Sequence, residues 1–316
     1  MTRWLAGPLG GPQFSVAPAS ADASFRRYFR ATLADGRSFV AMDAPPEHED
    51  CAPFVRVARL LREAGVHAPE ILAADLGQGF LLLSDLGTRT YLDALDDSNA
   101  GALMRDAIAA LVRWQRATRA GELPPYDEAL LRRELALFPE WYVGRHLGRT
   151  LSAAQGAAWE ALCATLVASA LAQPRVYVHR DYMPRNLMVC EPNPGVLDFQ
   201  DAVLGPITYD IASLTRDAFI SWAEERVIDW AARYWEAARA AALPVEADFG
   251  EFWRALEWMG LQRHLKVLGI FARLTYRDGK PRYLEDTPRF LGYARACARR
   301  YRTLAPLARL LDELEP

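Results

Sequence analysis

The sequence predicts an α+β protein in two lobes, a small strand-rich one over residues 1–86 and a larger, mostly helical one over 87–316. Three observations carry this. β-type runs and turn signals crowd the first 86 residues, long helical patterns fill most of the remainder, and only 175–201 interrupts them with strand-like pieces. A length of 316 residues suits one large domain or two lobes.

Taken in order, residues 23–45 (ASFRRYFRATLADGRSFVAMDAP) hold two β-type runs around Asp35-Gly36, a hairpin signal. In PFVRVARLLREAGV (53–66), Phe54, Val57, Ala58 and Leu61 keep helical spacing, and Gly65 marks the stop. EILAADLGQGFLLLSDLG (70–87) gives two strands broken at Gly77-Gln78-Gly79. The order β-β-α-β-β describes a small sheet carrying one helix. A connector near 84–90 leads to amphipathic, alanine-rich helices over 98–118 and 153–172, then to helices rich in Trp and Leu over 222–242 and 250–275.

Composition narrows the function classes. Apolar residues make up 51% and charged residues 24%, with a net charge of −3, which excludes a disordered or collagen-like chain and favours neither nucleic acid nor an anionic membrane as partner. A small molecule is the expected ligand. Cys51, Cys163, Cys190 and Cys297 are scattered without metal-binding spacing and read as reduced packing thiols. The start, MTRWLAGPLGG, is too short an apolar run for a signal peptide, and no apolar run reaches about 18 residues, so a cytoplasmic protein is expected. Lysine occurs only at 266 and 280, leaving 35 of the 37 basic residues as arginine.

The chemistry concentrates in VHRDYMPRNLMV (178–189). Phosphoryl transfer asks for a group that orients the acceptor hydroxyl and for oxygen ligands that hold Mg²⁺ on a triphosphate. His179, Asp181 and Asn186 fit H-x-D-x4-N, an aspartate to accept the hydroxyl proton followed by an amide oxygen for the metal. Twelve residues after Asn186, VLDFQDA supplies Asp198 behind an apolar pair. Antiparallel pairing of the two intervening short strands brings Asp198 beside Asn186. His179 reads as a structural residue that ties the loop backbone.

HRDYMPRNLMV, GVLDFQDAVLGPITYDIASLTRDAFISW and QRHLKVLGIFARL together resemble the aminoglycoside phosphotransferase-like kinase superfamily, over most of the chain. The resemblance implies a protein-kinase-like fold, ATP and Mg²⁺. It makes Asp181 the catalytic base, Asn186 and Asp198 the metal ligands, and Asp210 a buttress of the catalytic loop, although Asp210 also fits a helix N-cap. Within the superfamily the chain is similar to the sugar kinases of cell-wall recycling, which implies the anomeric hydroxyl of N-acetylmuramate or N-acetylglucosamine as acceptor. Rival readings are a relative acting on an aminoglycoside, homoserine, choline or a fructosamine, and a nucleotide-binding pseudokinase.

The N-terminal lobe departs from the superfamily pattern. The candidate phosphate loop, ASADASFRRYFR, has no glycine, and Asp43 falls where the family's strand lysine is expected. The nearest cations are Arg26, Arg27 and Arg30. In a strand, Arg26 and Arg30 share a face with Tyr28 while Arg27 shares the other with Phe25 and Phe29. Arginine can grip phosphate through a bidentate fork. Ser24 is a further expected ATP contact, and Ser84 and Asp85 of the connector are expected at the adenine. For the acceptor, residues 262–303 carry eleven basic and three acidic residues, a local +8 that favours an acidic or neutral sugar over a polycation. Arg263, His264 and Lys266 form a polar helical stripe expected to face it, Glu140 and Trp141 are a second expected wall, and Arg180 and Arg185 flank the base. Each of these patterns also fits an ordinary solvated face, turn or core.

Overall fold

The computed structural model describes residues 1–20 and 25–315. Ser24 lies outside the described residues. The chain divides into two compact units, one of residues 1–117 with 184–202, the other of 118–183 with 203–316.

The first unit opens with a short helix, α1 (Thr2–Leu5), and a five-stranded antiparallel sheet: β1 (Phe14–Ser20), β2 (Arg27–Leu33), β3 (Ser38–Asp43) and, after helix α2 (Ala52–Glu63), β4 (Ile71–Asp75) and β5 (Phe80–Ser84), in the order β1-β2-β3-β5-β4. The Asp35-Gly36 hairpin and the helix ending at Gly65 form as the sequence predicts. The α2 terminus closes with Val66 N–H on the Leu61 carbonyl (2.9 Å) and Gly65 N–H on that of Arg62 (3.0 Å), Gly65 taking φ 68°. Strand β1 is an addition to the expected order. Its Pro18 argues against a central strand, and the sheet uses it at an edge, where a missing N–H costs little. Phe14 and Val16 of β1 pack with Phe29 on a small core of Leu5, Ala41 and Leu82. Gly79 is required: a Cβ there would meet the Ala44 carbonyl oxygen at 1.8 Å.

Helices α3 (Tyr91–Ala94) and α4 (Ala100–Arg116) complete the N-terminal part of this unit. In the second unit, α5 (Glu128–Leu135) leads into a π-helical segment, Phe138–His146, followed by α6 (Ala153–Ala172) and β6 (Arg175–Val178). Residues 184–202 return to the first unit as a 3₁₀ turn, Pro184–Asn186, and the hairpin of β7 (Leu187–Met188) and β8 (Gly195–Val196). The sequence reads that stretch as part of one strand island within the helical lobe. It packs instead with the first unit, through Val189 N–H to the Arg89 carbonyl (2.9 Å) and Val196 N–H to that of His67 (2.7 Å). The island is therefore two separate pairs, because β6 pairs antiparallel with β9 (Val203–Pro206). Five helices finish the second unit: α7 (Tyr209–Thr215), α8 (Glu224–Ala240), α9 (Phe249–Tyr276), α10 (Thr287–Arg300) and α11 (Ala305–Leu314). Its core joins Leu131 and Leu135 of α5, Phe138 and Tyr142, α6 and the length of α9.

Candidate active site

In the second unit, β6 delivers the chain to His179–Met183. Asp210, fully buried in the first turn of α7, receives the His179 N–H at Oδ2 (2.7 Å) and the Arg180 N–H at Oδ1 (3.0 Å). Its carboxylate therefore holds the loop and does not cap its own helix, whose N-cap is Thr208. Burial pushes the Asp210 carboxyl up to about 7, against the pull of those two N–H donors and of Arg263. The His179 ring is buried edge-on to Tyr182 at 5.6 Å, and Asp181 is partly exposed.

Arg180 adopts φ 76°, a left-handed conformation uncommon outside glycine. Its guanidinium donates to Oε1 of Glu134 at 2.6 Å. The same oxygen takes the Lys266 ammonium at 2.9 Å, while Oε2 accepts from the Tyr126 hydroxyl and from Gln262 Nε2 (3.2 Å). Lys266 also donates to the Tyr209 hydroxyl at 3.1 Å. Burial works against ionised Glu134, yet Lys266 and Arg180 overcome it and hold the carboxyl at about 2. Burial likewise disfavours charged Lys266, and Glu134 together with Tyr209 and Asp181 more than offsets it.

These contacts revise the acceptor stripe. Arg263, His264 and Lys266 are 3%, 3% and 8% exposed, because α9 is surrounded on nearly every side. His264 sits between Phe290 and Tyr293, and burial pulls its pKa well below the ordinary histidine value, so it stays neutral. Arg263 reaches the Arg216 carbonyl (3.4 Å) and Met183 Sδ (4.0 Å), and has no carboxylate at ion-pair distance among the described residues. Phe138 and Tyr142 belong to the core, whereas Glu140 is exposed and Trp141 half-exposed. Half of the local +8 is offset by carboxylates from elsewhere: Arg300 pairs with Glu257 and Glu224, Arg295 and Arg299 with Asp312, Lys266 with Glu134.

In the first unit, Leu187 pairs with Val196 and Met188 with Gly195, and the Asn186 carbonyl accepts the Leu197 N–H at 2.9 Å. Asn186 Nδ2 consequently lies 3.4 Å from Asp198 Oδ2, and Gln200 Nε2 donates to Asp198 Oδ1 at 2.9 Å. Asp198 takes φ 60°, a left-handed turn at the hairpin's exit. One amide oxygen and one carboxylate suit Mg²⁺, which keeps most of its shell for water and phosphate oxygens.

The hairpin cations are mostly occupied. Arg30 grips Asp85 bidentately (2.6 and 3.0 Å) and donates to the Gly87 carbonyl at 2.8 Å, and Arg27 pairs with Asp43 at 2.5 Å across the β2–β3 ladder. The acid at the lysine position is thus neutralised locally. Arg26 is half-buried and Arg185 exposed. Ser84 exchanges bonds with Glu70, its Oγ accepting the Glu70 N–H at 2.8 Å. A cavity of about 770 Å³, bounded by α2, the 65–71 loop and Cys190–Asn193, touches Ser84 and Asp85 but neither Asn186 nor Asp198.

The residue that sequence reasoning missed is Glu134. In EALLRREL it falls on the apolar face with Leu131 and Leu135, and an acid on a buried stripe is the signal that marks it.

The APH phosphotransferase enzyme family matches residues 15–249. The chain belongs to that family. It is similar to the N-acetylmuramate/N-acetylglucosamine kinase of Pseudomonas putida, 59% identical over 96% of this chain and 89% of that one. The enzyme of the same name from Neisseria meningitidis is 52% identical over 99% and 95%. Among solved structures, a Plasmodium vivax ethanolamine kinase superposes with a TM-score of 0.63 at 9% identity (89% of this chain, 82% of that one). The gentamicin-bound aminoglycoside phosphotransferase APH(2")-IIa gives 0.61 at 12% (92% and 94%). This phosphotransferase therefore has the α+β, protein-kinase-like fold that its sequence motifs imply, with an antiparallel N-terminal sheet and a mostly helical remainder.

Proposed function

We propose that this phosphotransferase moves the γ-phosphoryl group of ATP to the anomeric hydroxyl of N-acetylmuramate or N-acetylglucosamine, yielding the sugar 1-phosphate and ADP in the reuse of cell-wall sugars. The observation that carries the reading is the 59% identity, over nearly the whole chain, to a kinase named for those two sugars.

In this reading Asp181 orients the acceptor hydroxyl and takes its proton as the oxygen–phosphorus bond forms. Asn186 and Asp198 would hold Mg²⁺, which when bound offsets charge on the β and γ phosphates. Residues 1–86 would bind the nucleotide and 87–316 the acceptor. Arg26 would meet the phosphates, while Arg30 acts through Asp85 to fix the connector. Ser24 remains a proposed ATP contact. Arg185, Glu140, Trp141 and Arg263 would serve the acceptor, Arg263 as the cation for a lactyl carboxylate. His264, Lys266 and Arg180 are withdrawn from that set by burial and pairing.

The test is a panel of both amino sugars, choline, homoserine, a fructosamine and an aminoglycoside, read by ADP release and by phosphorus NMR of the product. Turnover on either amino sugar to an anomeric phosphate is expected. Asp181→Asn should lower kcat by about 10²–10⁴-fold while Mg·ATP affinity holds within about two-fold. Activity on another acceptor with none on the two sugars would overturn the reading.

A further inference from the structure

The loop that carries Asp181 is held in two ways. Asp210 grips its backbone at His179 and Arg180, a contact between the loop and α7. Independently, the Arg180 side chain runs into the interior to Glu134, which is 5% exposed. Arg180 is the residue whose backbone is left-handed, so the turn placing Asp181 needs something to over-determine it. A buried charge-assisted bond from the adjacent guanidinium supplies that.

The carboxylate serving Arg180 is itself fixed from four sides by Arg180, Lys266, Tyr126 and Gln262. Tyr126 is anchored by its own N–H to the Leu204 carbonyl (2.9 Å) in β9, and its ring meets Tyr209 edge-on at 5.5 Å. Both oxygens of Glu134 are therefore committed, and it cannot swing away without taking its charge from two buried cations. A chain that writes 35 of its 37 basic residues as arginine keeps a lysine here. Oε1 already receives Nη2 of the bulky Arg180 guanidinium, and a compact ammonium with rotatable donors reaches both Oε1 and Tyr209 where a second guanidinium would be crowded.

We propose that Glu134, braced by Lys266, is a positioning residue for phosphoryl transfer: it anchors the Arg180 side chain and thereby fixes the loop that presents Asp181. The proposal rests on Asp181 being the base. Glu134 touches neither nucleotide nor acceptor in this scheme, so its loss misplaces the base and leaves ATP binding alone. A misplacement of about 1 Å in such a constellation lowers the rate by about 100-fold.

Three variants of the full chain test it: Glu134→Gln, Lys266→Met and the double substitution. Glu134→Gln removes the negative charge that Arg180 and Lys266 share, so both stability and kcat fall. Removing Lys266 as well restores the charge balance. The double variant should therefore recover melting temperature relative to Glu134→Gln while kcat stays about 100-fold down and KM for ATP stays within about two-fold, since Arg180 still lacks its anchor. Lys266→Met alone keeps the Arg180–Glu134 bond and should lose less than about ten-fold. Hydrogen exchange at the His179 and Arg180 amides gives a readout that needs no acceptor, and it should speed up in both variants lacking Glu134. If kcat returns with melting temperature in the double variant, or if loop exchange matches wild type in it, the proposal is overturned. Faster loop exchange alongside a wild-type protein that phosphorylates neither sugar would sink the acceptor assignment and leave the positioning role standing.

Discussion

At the scale of single residues, protonation of Glu134 governs more than its own site. Its carboxyl is ordinary in the unfolded chain, near 4.5, and held at about 2 in the fold by Lys266 and Arg180 acting against burial. A depressed folded value means the stabilisation is complete above about 4.5 and is lost as pH falls toward 2. The span corresponds to about 3 kcal/mol, at 1.36 kcal/mol per unit. Urea midpoints measured at pH 6, 5, 4 and 3 should drop through that window for the wild type. The Glu134→Gln/Lys266→Met pair should show a visibly shallower fall, and parallel slopes would remove Glu134 as the source. The approach of Asn186 to Asp198 was legible in the sequence because a local hairpin sets it, in which two short strands return the chain on itself. Glu134 was not, because its partners come from β6's exit loop and from α9, and a sequence read locally shows only a helix with one acid out of place.

Elements were readable where the signal is local and hidden where packing decides. Helix α6 covers the residues its periodicity indicates, since Ser152 and Gln155 cap one another (2.9 and 3.2 Å) and Gln173 ends the run. The π-helical Phe138–His146 carries no such signal: Pro139 at its start and the wide i→i+5 bond from Leu147 N–H to the Tyr142 carbonyl (3.0 Å) are shaped by what lies against it. That neighbour is α9, and the backbones come close at Gly269, where an added Cβ would stand 2.4 Å from the Leu137 carbonyl carbon and oxygen. Backbone cannot step aside as a side-chain tip can. Gly269→Ala should therefore destabilise the protein by about 1–3 kcal/mol, although alanine is the better helix former. Gly292→Ala, in α10 with no atom within 4 Å of the added Cβ, is the control and should be neutral or slightly stabilising. Equal urea midpoints for the two variants would show that the contact yields.

For the whole molecule, charge counted along the chain misleads about the field. Residues 262–303 look like a cationic patch, yet Glu134, Glu224, Glu257 and Asp312, all from outside that segment, pair with four of its basic groups. Asp278 and Asp286 within it take Arg277 and Arg289. What remains is a chain of net charge −3 with little long-range pull on an anion, and a buried Arg263 whose influence is short-ranged. Steering of a charged ligand acts over roughly a Debye length, about 10 Å at 0.1 M salt, and shows as a steep fall in association rate with ionic strength. Under the proposed function, kcat/KM for the carboxylate-bearing N-acetylmuramate should change by less than about two-fold between 0.05 and 0.3 M KCl at fixed free Mg²⁺, in step with neutral N-acetylglucosamine. Arg263→Gln should then raise KM for N-acetylmuramate alone, because a contact charge discriminates where a diffuse field does not. A salt dependence several-fold steeper for the acidic sugar would mean that the basic segment does act at a distance, and that the pairs counted above are too weak in solution to cancel it.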